Sequence, residues 1–239
     1  MTCIGDGLRN LLADVRAGWS STLVERIAGP DAVTRRRQIL DAPGEPWFVR
    51  GSPVRVVHGD AAMFVGGLLA VLRQTAHPLA MAGVAQHSRF REDPWGRLHR
   101  TGHFLGAVTF GSREVAERAV AQVRAIHDRV RGVDEQGRAY SANDPHLLLW
   151  VHCVELESFV TAHRAYGSTR LEPEDYDRYV AEMGSIAEAL GSEPPPRSRA
   201  ELRMLFALVA SALIPVAAAM MYEKQTAQNL FAAFGGVPA

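Results

Sequence analysis

Apolar residues recur at steps of three and four along most of the chain, which is the period of an amphipathic α-helix. The clearest case is the segment REVAERAVAQVRAIHDRV, which follows Ser112. Its apolar stripe consists of Ala116, Val120, Val123, His127 and Val130. Ser112 is a typical N-cap residue, and Gly132 is expected to end this helix.

Three further helices are marked at their starts by an acidic residue followed by proline, a combination that favours the first helical turn. The three pairs are Asp93-Pro94, Asp144-Pro145 and Glu172-Pro173. The helices that they open are predicted to extend to Phe110, Gly167 and Gly191. Helical composition also marks the segments Gly7 to Ile27 and Ala61 to Thr75. His77 precedes Pro78 and is expected at a kink between two helices.

Strand signals are few. Trp47 to Arg50 and Val54 to Val57 are predicted as short extended pieces around Gly51 and Pro53. The pattern therefore predicts an all-α fold, a single multi-helix domain. We divide it into an N-terminal helical and extended segment that packs on the core (1–59), the core itself (60–191), and a linker with an apolar C-terminal helix (192–239).

The charge balance excludes some function classes. Lys plus Arg and Asp plus Glu both number 26, so no basic excess indicates nucleic-acid binding. Net neutrality gives little repulsion between copies and favours self-association. Cys3 and Cys153 form no metal-ligand pair, and Cys153 is expected to be a buried, inert thiol. The charged N-terminus does not resemble a secretory signal, so we expect a cytoplasmic protein.

One uncharged segment, Met204 to Tyr222, approaches the length of a membrane span. It is rich in alanine and is interrupted by Pro215. We interpret it as a buried core helix with a proline break, in preference to a membrane-spanning segment.

The histidine of the apolar stripe is the first candidate for chemistry. Because His127 projects from an apolar helix face, it is either a core histidine bonded to a carbonyl or an axial metal ligand. His99 and His103 form an i, i+4 pair, but two ligands do not complete a metal site. Nucleophile-elbow, P-loop, Cys-x-x-Cys and c-type haem attachment motifs are all absent from the sequence.

The second candidate is a polar cluster on the preceding helix. Offsets of three and four place Arg97, Arg100 and Thr101 on one helix face. This face is either solvated, with Glu92 or Asp93 as partners, or a clamp for carboxylate or phosphate groups, which arginine binds in bidentate fashion.

Together these segments resemble a known family. The order HPLAMAGV, SRFREDPWGRLHRT, VRAIHDRVRG, GRAYSANDPHLLLWVH and YDRYVAEM is similar to the catalytic domain shared by bacterial rubber oxygenase (latex-clearing protein) and the ER-bound oxygenase of mycophenolic acid biosynthesis. The resemblance runs from about Asp60 to Gly191. It implies haem b held non-covalently between helices, with His127 as the proximal iron ligand and with Arg97 and Thr101 lining the haem pocket.

Two departures from that family change the expectation. Arg100 stands where rubber oxygenase has a lysine that can ligate the distal side of the iron. Arginine stays protonated and has no lone pair to offer, so we expect Arg100 to line the site without binding iron. The stretch from Ala61 to Phe90 contains no Asp or Glu, whereas rubber oxygenase has an acidic residue there. We therefore do not expect specific cleavage of polyisoprene.

The leading interpretation is a haem b-dependent oxygenase that acts with dioxygen on a hydrophobic substrate such as an alkene or isoprenoid. Arg97 would pair with a propionate or orient the distal pocket, and Thr101 would donate a hydrogen bond. Two alternatives stay open: a non-catalytic haem-binding sensor or carrier, and a haem-free helical protein that binds a lipid-like ligand or a partner.

Overall fold

The computed structural model describes residues 32–88 and 92–208, and most of these are helical. The described helices include α1 Ala32–Leu40, α2 Pro53–Gly59, α3 Ala62–Gln74, α4 Pro78–His87, α5 Pro94–Phe110, α6 Arg113–His127, α7 Pro145–Tyr166 and α8 Pro173–Leu190. Residues 199–208 are also helical. Within the described ranges the only sheet is a hairpin of β1 Arg131–Val133 and β2 Ala139–Ser141. The all-α prediction is confirmed.

The acidic residues that were predicted to start three helices cap those helices in the structure. The Asp93 side chain accepts a hydrogen bond from the Gly96 amide at the start of α5. Asp144 accepts from two amides at the start of α7, and Glu172 opens α8 with a reciprocal capping box. Gly191 ends α8 in the left-handed region, at φ 94°. These side chains and this glycine satisfy backbone groups that a helix leaves unpaired at its ends.

Three local predictions were wrong. Val54 to Val57 lie in α2, not in a strand, because Ser52 caps the segment and Pro53 supplies its first turn. Trp47 to Arg50 form bends and a turn instead of a strand. Helix α6 ends at His127, before the predicted end, and the chain turns there into the unpredicted hairpin.

The predicted helix Gly7 to Ile27, Cys3 and most of the segment Met204 to Tyr222 lie outside the described residues. The boundaries at 59 and 191 stay predictions.

The described chain forms two compact units. Of the described residues, the first contains 32–50, 84–88 and 92–125, and in it α1 packs on α5. Ile39 of α1 lies close to Gly106 of α5, and Val108 and Thr109 of α5 are fully buried. The Arg113 amide donates to the Glu45 carbonyl (2.7 Å), which ties the start of α6 to the loop after α1.

The second unit contains the described residues 51–83 and 126–208, and it is built around α7. This helix buries residues on most of its circumference and packs against α2, α3 and α8. Trp150 of α7 forms an apolar cluster with Ala70 of α3, Leu147 and Val154, and it stacks on Phe206 at 5.9 Å between ring centroids. A helix that is buried on most of its circumference is typical of the centre of a bundle.

Close approach of α3 to α7 requires a glycine. A methyl group at Gly66 would lie 2.7 Å from Cδ1 and 3.1 Å from Cα of Phe159. We expect Gly66→Ala to lower the free energy of unfolding by about 1–3 kcal/mol through overpacking. Gly67→Ala is the matched control, because nothing lies within 4 Å of its added methyl group; it should raise stability by up to about 1 kcal/mol. Urea denaturation of both variants measures the difference, and equal effects would contradict this packing.

The solvent side of α3 is apolar. Its exposed side chains are Phe64, Val65, Leu68, Val71 and Leu72. In the described ranges, no single helix is long and apolar enough to cross a membrane, although α2 and α3, bent by 89°, satisfy the length and composition requirement as a pair.

Candidate functional site

His127 is the last residue of α6 and lies on the face that the periodicity predicted. Ala116 and Val120 on this stripe are buried, while Val123 and His127 are partly buried. Most of the other residues of the helix are exposed. The imidazole is therefore turned away from the solvated side of α6.

The surroundings of His127 keep its imidazole neutral. Burial lowers the pKa of the ring, and contacts with the Asn143 side chain and with Asp128 raise it by less. Nδ1 is buried and has no hydrogen-bond partner among the described residues. A neutral ring retains a nitrogen lone pair, which is what a metal ligand requires.

The hairpin after α6 fixes the backbone around this ring. The Val130 amide donates to the His127 carbonyl (3.0 Å), and the Ala142 amide donates to the Val130 carbonyl (2.8 Å). Asn143 then reaches back, and its Nδ2 donates to Asp128 Oδ1 (2.7 Å). The end of α6 and the start of α7 are thus joined through a short sheet and one side-chain bridge.

The polar cluster of α5 lies in the first unit. Arg97 is partly buried and has no ion-pair partner within the described part of the chain; burial and, to a lesser extent, Arg100 lower the pKa of its guanidinium. Arg100 is exposed and lies 3.9 Å from an Asp93 carboxylate oxygen. Thr101 is exposed, and its hydroxyl donates to the Arg97 carbonyl (3.1 Å). Of these three residues, only Arg97 is partly buried and has a charge without an ion-pair partner among the described residues.

The structure thus places the sequence candidates in two groups. Arg97, Arg100 and Thr101 share α5 in the first unit, as their spacing predicted, while His127 belongs to the second unit. Across residues 32–88 and 92–208, no group of three or more His, Cys, Asp or Glu side chains is arranged to hold a metal ion.

Two neighbouring residues of α7 are part of the core of the second unit. His152 and Cys153 of α7 are buried, and burial lowers the pKa of His152 to about 4 and raises that of Cys153 to about 12. Both side chains are therefore neutral near pH 7. The structure supports the inert-thiol interpretation of Cys153.

The second unit contains a buried polar cluster that was not predicted from the sequence. His58 Nε2 of α2 lies 3.0 Å from the Tyr179 hydroxyl of α8, and both residues are buried. Glu155 of α7 interacts with the same tyrosine and is hydrogen-bonded to Gln74 of α3. These four residues come from four helices, so no periodic pattern indicates them.

Comparison with known proteins gives one match. Residues 55–236 match the family model described as ER-bound oxygenase mpaB/B'/Rubber oxygenase, catalytic domain. This range covers more than half of the chain and includes all four candidates. No curated protein and no solved structure matches the chain significantly.

Proposed function

This chain belongs to the family of the ER-bound oxygenase mpaB/B' and rubber oxygenase catalytic domain, and we propose from this premise that it is a haem b-dependent oxygenase of hydrophobic substrates. The main structural support for haem binding is the environment of His127. A partly buried, neutral imidazole has a buried nitrogen without a partner among the described residues. A porphyrin would supply four nitrogen donors to the iron, so a single protein ligand would suffice to hold it.

Two residues have properties that suit haem binding. His127 offers a neutral donor on an otherwise apolar helix face. Arg97 offers a partly buried cation without a partner among the described residues, which suits a carboxylate such as a propionate. The guanidinium of Arg100 has no lone pair to offer, so this residue could bind an anion but not iron.

In the proposed reaction the cofactor supplies the activation of dioxygen, which protein side chains alone do not perform. His127 would hold the cofactor, Arg97 would bind an anionic group, and the apolar helices would exclude water. The absence of Asp and Glu from Ala61 to Phe90 leaves that stretch without a carboxylate base. A small or medium alkene or isoprenoid is therefore the proposed substrate class, in place of polyisoprene.

Purification with a haem supply tests the proposal. We expect a Soret absorption band at one haem per chain, and oxygen consumption when hydrophobic alkenes are added. A Soret band without substrate-dependent oxygen consumption would favour a non-catalytic haem sensor or carrier. A colourless protein after haem addition would contradict the proposal and favour a haem-free ligand-binding protein.

Arg97 provides a separate prediction. Arg97→Ala removes a charge-assisted hydrogen bond of about 1.5–3 kcal/mol, so haem should be lost to apomyoglobin roughly 10–100-fold faster than from the unsubstituted protein. Arg118→Ala is the control, since Arg118 is an exposed arginine paired with Glu114 on α6, and it should leave this rate unchanged. Equal rates of haem loss from Arg97→Ala and from the unsubstituted protein would show that Arg97 does not bind the haem.

A further inference from the structure

Helix α3 exposes its large apolar residues and buries its small ones. Its buried residues are Ala62, Gly66 and Ala70. Its large exposed side chains form what we call the outer face of α3, which consists of Phe64, Val65, Leu68, Val71 and Leu72. Leu68 and Leu72 are the most accessible of these, with 62% and 68% of their surface exposed. A helix that is apolar on opposite sides is typical of a buried position, so the outer face has the character of a surface that a partner covers.

The outer face carries no charge. The only charged residue of α3 is Arg73, whose guanidinium donates to Ser158 Oγ of α7 (3.2 Å) and lies 5.5 Å from the centre of the Phe206 ring. The face therefore offers no group that would pair with an acidic partner, and it lacks the basic residues that draw amphipathic helices to anionic lipids. The whole chain has no net charge, so two copies repel each other little. This charge pattern favours a second copy of the chain as the partner.

The outer face is symmetric about Leu68. Its other residues lie three and four positions before Leu68 and three and four positions after it. On a helix these offsets place all five side chains within about 60° of the direction of Leu68. An antiparallel pair of α3 helices with a two-fold axis beside Leu68 brings this residue against its own copy. Phe64 and Val65 of each copy then meet the two residues that follow Leu68 in the other copy, so every side chain of the face is covered by an apolar one.

We propose that the outer face of α3 is a dimerisation surface, on which the α3 helix of a second copy of this chain packs antiparallel about Leu68. The antiparallel direction also places opposite ends of the two helix dipoles side by side. Two helices that are each about 20 Å long form a small interface, so the association should be weak, with a dissociation constant in the micromolar range. The proposal does not depend on haem binding.

Sedimentation velocity at protein concentrations from about 1 to about 300 µM tests the proposal. The unsubstituted protein should pass from monomer to dimer as its concentration rises. Leu68→Lys and Leu68→Glu should each raise the dissociation constant at least about 30-fold, because two like charges would meet at the axis. An equimolar mixture of these two variants should dimerise again. Val49→Lys is the control, since it adds the same charge to an apolar residue that is 67% exposed outside α3, and it should leave the dissociation constant unchanged.

A second mixture tests the antiparallel arrangement. Val65→Lys mixed with Leu72→Glu should dimerise, whereas Val65→Lys mixed with Val65→Glu should not; the reverse result would contradict the antiparallel pair. A protein that stays monomeric at every concentration, or a Leu68→Lys dimer as stable as that of the unsubstituted protein, would overturn the proposal. Binding of the monomer to phosphatidylcholine vesicles that Leu68→Lys abolishes would identify a lipid surface as the partner instead. A monomer whose thermal unfolding midpoint falls by more than about 5 °C in Leu68→Lys would show that the same chain covers the face.

Discussion

Replacement of His127 by alanine is expected to abolish the Soret band and all haem-dependent oxygen consumption. The variant removes the one protein atom that would bind the iron, and the porphyrin would then be held by apolar contacts and anion pairing alone. We expect at least a 100-fold loss of haem affinity, with little loss of fold stability because the ring is only partly buried at a helix end. Haem titration followed by absorption spectroscopy measures the effect.

His146→Ala is the matched control for this experiment. His146 lies in the exposed first turn of α7 and faces Glu193 at 3.3 Å, so its loss should leave haem affinity unchanged. An excess of free imidazole should restore part of the Soret band to His127→Ala by replacing the missing ligand. Haem binding by His127→Ala that equals that of the unsubstituted protein would refute iron ligation by this residue.

Replacement of Glu155 by glutamine is expected to stabilise the protein progressively as pH rises. Burial raises the pKa of the Glu155 carboxyl from 4.5 to about 7, and the hydrogen bond with Gln74 opposes this shift only in part. Glutamine resembles the protonated acid in shape and cannot ionise. The free energy of unfolding of Glu155→Gln relative to the unsubstituted protein should therefore increase by about 3 kcal/mol between pH 4 and pH 8.

The sign follows from proton binding in the two states. Between about pH 4.5 and pH 7 the unfolded chain has lost the Glu155 proton while the folded protein retains it, so stability falls as pH rises through this range. His58 and His152 act in the opposite direction, because burial lowers their pKa values to about 3 and about 4. They lower stability as pH falls below 6.5. Both histidines are present in the variant and in the unsubstituted protein, so their contribution cancels in the stability difference between the two.

Urea denaturation at several pH values checks this prediction. Glu174→Gln removes an exposed carboxylate from the first turn of α8, and its stability difference should vary by less than about 0.5 kcal/mol over the same range. A stability difference for Glu155→Gln that does not change with pH would mean that Glu155 is ionised in the folded protein at pH 5.

Local signals in the sequence were reliable where a helix start depends on adjacent residues. Asp93 and Asp144 were predicted as caps and accept the expected amide hydrogen bonds, because a cap and its partners lie within three residues. The interpretation failed at Val54 to Val57, where β-branched residues suggested a strand. Ser52 and Pro53 initiate a helix there, and its packing against α8 outweighs the weak preference of valine.

The hairpin and the buried polar cluster were not predictable in this way. Strands of three residues carry too little alternation to be distinguished from loops. His58 and Tyr179 are 121 positions apart in the chain, and nothing near either residue indicates the other. The same holds for Glu155, whose raised pKa depends on how α3, α7 and α8 pack around it.

The sequence by itself determined the all-α class, most helix boundaries and the inward face of α6 on which His127 lies. These follow from hydrogen bonds and side-chain periodicities that span no more than one or two helical turns. Only the tertiary structure decided that Asn143 donates a hydrogen bond to Asp128 and that Gly66 allows the close approach of Phe159. It also decided that Arg97 is partly buried without an ion-pair partner among the described residues. These relations depend on where distant segments come to lie, because burial and hydrogen-bond satisfaction are properties of the packed chain.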